Sequence, residues 1–155
     1  MNTASTPKEL VTRFYDAFAK RDAETMAACY ADDVVFSDPV FPRLQGEEAR
    51  DMWRMLCARG KDLVVEPSAI TNDSAHWDAT YTFGATGRKV VNRIDARFVI
   101  EGGKIKQHAD VFDLWAWTRM ALGAPGLLLG WSPLIQNKVR GQAAAALKSF
   151  RAKKG

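Results

Sequence analysis

The chain has little of what several large protein classes require. In 155 residues there are two cysteines and two histidines. Cys29 and Cys57 each sit in a helix-like pattern without CxxC spacing or a neighbouring histidine. They read as buried free thiols of a reducing cytoplasm, neither metal ligands nor nucleophiles. So few soft ligands, without ligand-like spacing, leave no basis for a metal site. No apolar run approaches the length of a membrane span, and the opening MNTASTPKEL lacks a signal peptide's apolar segment. GxGxxG, the phosphate-binding P-loop and GxSxG are missing too, so no cofactor is expected.

Acidic residues are missing from one region only. After Asp113 the chain carries seven lysines and arginines and no aspartate or glutamate, so a total of +4 leaves −3 for residues 1–113. The basicity belongs to a tail on a mildly acidic body. This argues against a nucleic-acid surface spanning the domain, and no nucleic-acid-binding motif is present.

What is present suits one globular domain with a real core, 47% hydrophobic and 26% charged. Thr6-Pro7-Lys8-Glu9 is a capping box with proline at the first helical position, and Leu10, Val11, Phe14 and Phe18 continue it as an apolar stripe. Asp22 caps a short second helix carrying Met26, Ala27 and Tyr30, and Val34 to Phe36 reads as a brief strand ending at Asp38-Pro39. Gly46 opens a third helix, closed by Gly60, with Ala49, Met52, Trp53 and Leu56 on its buried face. Strands follow over about 62–71, 75–84, 89–101 and 104–113. Helices first and then an antiparallel meander predict an α+β fold in which a curved antiparallel sheet wraps the N-terminal helices as a cone. Phe14, Phe36, Trp53, Trp77, Tyr81, Phe83 and Phe112 are available to line its interior. The domain is expected to span 1–155, with a core of about 8–113 and a helical extension over 114–155.

The segment NRIDARFVIEGGKIKQHADVF (92–112) carries the chemistry. With Gly102-Gly103 as a two-residue turn, Glu101 pairs with Lys104. Continued without interruption, that register sets Arg97 opposite His108 and Asp95 opposite Asp110 on one face. Opposed carboxylates destabilise a sheet unless they are used, or unless arginines neutralise them in a solvated network.

The stretch VTRFYDAFAKRDAETMAACYADDVVFSDPV (11–40) resembles the amino-terminal part of bacterial ketosteroid isomerases, and RIDARFVIEGGKI (93–105) is similar to their Ile-Asp strand and hairpin. The family is the cone-shaped α+β superfamily of nuclear transport factor 2, ketosteroid isomerases and polyketide-cyclase-like proteins. The resemblance implies that Asp38 is a general base, and that Asp95 is a protonated acid donating to a dienolate oxygen; ketosteroid isomerase is itself a standard example of such pKa tuning. Phe14 stands where those isomerases keep an oxyanion tyrosine. A second branch, limonene-epoxide-hydrolase-like and polyketide-cyclase-like, resembles HADVFD and implies Asp110 as the base, with Arg97 in the place of an arginine. Its Arg/Asp pair aligns loosely with His76 and Asp78.

The expected catalytic set is therefore Asp38, Asp95 and Asp110, with Phe14, Trp53, Tyr81, Phe83, Arg97, His108, Phe112 and Trp115 around a small hydrophobic ligand. Three classes stay open: a cofactor-free acid–base enzyme, a non-catalytic binder of a hydrophobic ligand, and an assembly module. A cytoplasmic homodimer is expected. For the tail, packing that also walls the pocket is expected, with a dimer contact or attachment to anionic lipid as alternatives.

Overall fold

A computed structural model describes residues 6–154. The elements run α1 (Pro7–Ala19), α2 (Ala23–Cys29), β1 (Tyr30–Ser37), β2 (Leu44–Gln45), α3 (Glu47–Arg59), β3 (Val64–Ser68), β4 (Ser74–Phe83), β5 (Arg88–Glu101), β6 (Lys104–Val111), α4 (Leu114–Leu122), α5 (Ala124–Leu129) and α6 (Pro133–Lys154). Local chemistry sets the early boundaries. The Thr6 hydroxyl accepts from the Glu9 N–H at 3.1 Å, and Asp22 accepts from the Thr25 N–H at 3.1 Å. Both cap donors that a helix start leaves unpaired.

The strands form one curved sheet in the order β2-β1-β6-β5-β4-β3. Every neighbouring pair is antiparallel except β1 and β6, which run parallel, so the sheet is mixed where a purely antiparallel one is expected. The parallel pair arises because β1 precedes the meander and joins its last strand. Helices α1 to α3 bury Leu10, Val11, Phe14, Phe18, Met26, Met52 and Trp53 against the inner face. Leu56 is 36% exposed, and Met55 and Cys57 are buried in its stead.

Gly102 and Gly103 adopt φ of 59° and 75°, as a primed two-residue turn requires, and Glu101 pairs with Lys104. Two residues later the expected register fails. Ile100 pairs with Ile105, but Val99 pairs with Gln107, leaving Lys106 as an extra residue in β6. This bulge reverses the inside–outside alternation of everything that follows it. His108 and Asp110 therefore turn inward, opposite Phe98 and Ala96, while Asp95 and Arg97 stay on the outer face.

The extension forms a helical layer with a small core of Val90, Leu114, Trp117, Ala121 and Val139, joined to the main core through Val40, Tyr81 and Phe112. Its far end is fastened by charge. Asp51, 1% exposed, accepts from Arg54 at 2.9 Å, Arg151 at 2.9 Å and Lys154 at 2.7 Å. Burial alone would raise this carboxyl, and the three cations outweigh it and hold its pKa low. Helices α4 and α5 cross almost backbone to backbone: a Cβ on Gly126 would overlap the Thr118 carbonyl, and one on Gly130 the Thr118 hydroxyl.

Two glycine substitutions test this packing with opposite signs. Gly126→Ala is expected to cost about 1–3 kcal/mol through overpacking. Gly141→Ala, where a Cβ meets nothing within 4 Å in the exposed middle of α6, is expected to add roughly 0.5–1 kcal/mol through helix propensity. Urea unfolding of the two variants measures both.

Candidate active site in the sheet interior

Four side chains form a hydrogen-bonded chain through the core. The Trp53 indole N–H donates to the Tyr30 hydroxyl oxygen at 2.8 Å, Tyr30 Oη lies 2.8 Å from His108 Nδ1, and His108 Nε2 lies 2.8 Å from Asp110 Oδ1. Indole nitrogen can only donate, so the phenol oxygen is the acceptor there and its own proton is free to point at Nδ1. With the Tyr30 proton directed at Nδ1, Nε2–H is the ring's donor to Asp110. Burial above all holds the Tyr30 hydroxyl protonated well above its ordinary pKa.

The chain sits among rings. Phe98, Phe36 and Phe14 stand with centroids 4.5, 5.0 and 5.4 Å from the His108 ring, and Trp53 stacks on it at 5.9 Å. His108 and Asp110 side chains are 0% and 2% exposed. An ionised carboxylate so placed depends on its partner, since an unpaired buried charge costs several kcal/mol.

Asp38 lies at the end of β1, in a turn where its Oδ1 accepts from the Val40 N–H at 2.7 Å and the Phe41 N–H at 2.6 Å. Burial raises its pKa, the Phe41 N–H opposes, the Asp110 charge raises it further, and the result is about 6. Tyr81 is held up by burial and in part by Asp38, and its hydroxyl accepts from the Trp117 indole at 2.7 Å. Tyr15 is fully buried, its pKa raised by burial and then by Asp110, and among the described residues neither its hydroxyl nor the Trp77 N–H has a hydrogen-bond partner. The interior therefore brings two carboxylates within electrostatic reach of one another, beside an unpaired phenolic donor.

Of the residues expected at a site, Asp38, Asp110, His108, Phe14 and Trp53 converge here, with Tyr81, Phe83 and Phe112 half-buried beneath the helical layer. Asp95 does not. Its side chain is 79% exposed and binds His76 Nδ1 at 2.9 Å, while His76 Nε2 binds Asp78 at 2.8 Å. Asp95 and Asp110 are thus no opposed pair, because the Lys106 bulge puts them on opposite faces. Asp95 lies on a solvated face, with His76 as its partner where the sequence reading expected an arginine. Arg97 is exposed on the same outer face. Trp115 is also displaced: α4 begins at Leu114 and turns Leu114, Trp117 and Ala121 inward, leaving Trp115 38% exposed. Tyr15 was not among the expected site residues; it directly follows Phe14, and both face the core, as does Trp117 of the tail expected to wall the pocket.

The clefts of about 640 and 610 Å³ lie on the outside, along α1 and between α2 and α3, and neither is lined by Asp38 or Asp110. Among the described residues no group of three or more His, Cys, Asp or Glu is arranged to hold a metal ion.

Residues 11–108 match the model of the SnoaL-like domain, and the chain belongs to that family. A comparison with curated proteins finds no match. Among solved structures, IdmH, a proposed polyketide cyclase from Streptomyces antibioticus, superposes with a TM-score of 0.64 at 19% identity, covering 77% of this chain and 100% of its own. A proposed polyketide cyclase from Pseudomonas putida gives 0.59 at 23% identity over 76% and 98% of the two chains. An LEH-like epoxide hydrolase from M. tuberculosis gives 0.60 at 20% identity over 79% and 92%. At such identities these likenesses establish a shared fold.

The raised Asp38 pKa makes a signed prediction. A carboxyl that binds its proton more tightly when folded favours the native state at acid pH, and that contribution is lost as pH rises from about 4 to about 6. Asp38→Asn keeps a carbonyl oxygen for both turn N–H groups and should flatten the stability profile across that window. Urea unfolding at several pH values, with a carboxyl NMR titration whose midpoint lies near 6, checks it.

Proposed function

We propose that the protein is a cofactor-free acid–base enzyme acting on a small hydrophobic carbonyl compound, removing a proton from the carbon next to the carbonyl. The observation that carries this reading is the Asp38 carboxyl, half-buried in an apolar enclosure with a pKa near 6. A base serves best when its pKa lies near the working pH, which avoids both a fully protonated group and a feeble acceptor. Enclosure supplies that without a metal.

In this reading Asp38 takes the proton and, as a carboxylic acid, returns it at a second position. Between removal and return, negative charge lies on the carbonyl oxygen, where a preorganised donor is worth most. Phe14 cannot supply one. Tyr15 can: its hydroxyl is buried, stays protonated and has no partner to give up. The aromatic walls suit a flat apolar substrate body. Entry is proposed beneath the helical layer, past Tyr81, Phe83, Phe112 and Trp117.

A second reading rests on the buried His108–Asp110 pair at 2.8 Å. A carboxylate oriented by a histidine suits proton removal in an aldol-type ring closure, or activation of water against an epoxide. The two readings differ in which aspartate is indispensable.

Solvent-deuterium exchange into a panel of cyclic and polycyclic ketones and enones, a 5-ene-3-ketosteroid among them, reads proton abstraction directly. Exchange is expected to rise with pH through about 6, to fall on the order of 10²–10⁴ in Asp38→Asn and about 10²–10³ in Tyr15→Phe. Loss of exchange in Asp110→Asn with Asp38→Asn unaffected moves the base to Asp110. Absence of exchange on every compound, with the same compounds bound, makes the protein a binder.

A further inference from the structure

Leu127, Leu128 and Leu129 occupy consecutive positions of the six-residue helix α5 and are 54%, 68% and 48% exposed. Trp131 and Leu134 follow at 59% and 76%. Consecutive helical residues point about 100° apart, so three of them cover roughly 200° of the helix surface. A groove on another protein, or on a second copy, meets one face of such a helix. A medium that surrounds the tip satisfies all of them.

The backbone carbonyls at this tip are paired by side chains. The Leu127 carbonyl accepts from the Trp115 indole at 3.3 Å, Leu128 from the Trp131 indole at 3.0 Å, Leu129 from the Ser132 hydroxyl at 2.6 Å, and Gly130 from the Gln136 amide at 3.0 Å. Four successive carbonyls at a helix end, which solvent would otherwise serve, are each paired with a side chain. In hydrocarbon every unpaired carbonyl costs several kcal/mol, so internal pairing is what immersion demands. The same bonds satisfy both indole N–H groups. Charge agrees. From Leu114 onward there is no acidic residue, and of the seven basic ones Arg140, Arg151 and Lys154 are tied to Pro39 and Asp51, which leaves Arg119 and Lys138 nearest the tip. Arg119 lies 4.8 Å over the Trp115 ring, and Lys138 stands exposed one turn beyond Leu134.

We infer that the α5 tip, Leu127 to Leu134, is a docking surface for an anionic lipid bilayer, into which the leucines and Trp131 insert while Arg119 and Lys138 meet the headgroups. No described helix is long and apolar enough to cross a membrane, so the attachment is peripheral.

Co-sedimentation of the full chain with vesicles of phosphatidylcholine alone, and with added phosphatidylglycerol, tests this. Binding to the anionic vesicles is expected to exceed that to neutral ones by about tenfold and to weaken with salt. Leu128→Asp and Leu134→Asp change exposed positions and leave the circular dichroism spectrum unchanged; each should lower binding about tenfold. Quenching of Trp131 by brominated lipid, lost in Trp131→Phe, reports insertion. Absence of vesicle binding overturns the inference, as does binding that Leu128→Asp leaves intact. A concentration-dependent dimer in sedimentation equilibrium that Leu128→Asp dissociates, without vesicle binding, assigns the tip to a second copy instead.

Discussion

The hydrogen bond between His108 and Asp110 is the contact on which the interior depends. A carboxylate almost wholly removed from water is tolerable only with a donor in place, and the donor is held by Tyr30 and Trp53 in turn. The four members come from three elements: Trp53 from α3, Tyr30 from β1, His108 and Asp110 from β6. The seating of α3, the parallel contact of β1 with β6 and the bulge in β6 are therefore geometric conditions of a single polar chain. The surrounding rings cannot move far without breaking it.

Features encoded within a few residues were legible in the sequence. Thr6, Asp22 and Gly102-Gly103 act on their immediate neighbours, so the two helix N-caps and the hairpin turn were readable without any tertiary knowledge. The family and fold were legible from residues 11–40 and 93–105. The bulge was not, because nothing about Lys106 as a residue type marks it as extra. Its consequence was large: a single inserted position moved His108 and Asp110 into the core and left Asp95 with His76 outside. Asp38 sits half-buried in its turn, and the enclosure that raises its pKa is contributed by distant segments. Trp115 and Trp117 were separable only by the starting point of α4, which one residue decides.

The helical layer serves two ends of the molecule. At one end Arg140 donates to the Pro39 carbonyl at 2.8 Å, tying α6 to the turn that presents Asp38. At the other, Arg151 and Lys154 are spent on Asp51. The basic charge of the tail is therefore divided between fastening the layer and facing outward, a division that net charge alone conceals. Covering the Asp38 side with Trp117 and Tyr81 also keeps water from the carboxylate, which ties the layer to the electrostatics of the site.

The parallel contact between β1 and β6 has a kinetic consequence. Tyr30 and Ile105 are register partners separated by about half of the chain, whereas β4, β5 and β6 join through short turns. Closing a long loop loses more chain entropy than closing a hairpin, and folds rich in distant pairings form slowly. The meander can thus assemble as a local unit while Tyr30 and Asp38 are still remote from His108. Until β1 docks, Asp110 remains hydrated and free of its enclosure. The desolvated site is accordingly a property of the completed chain topology and not of the meander alone.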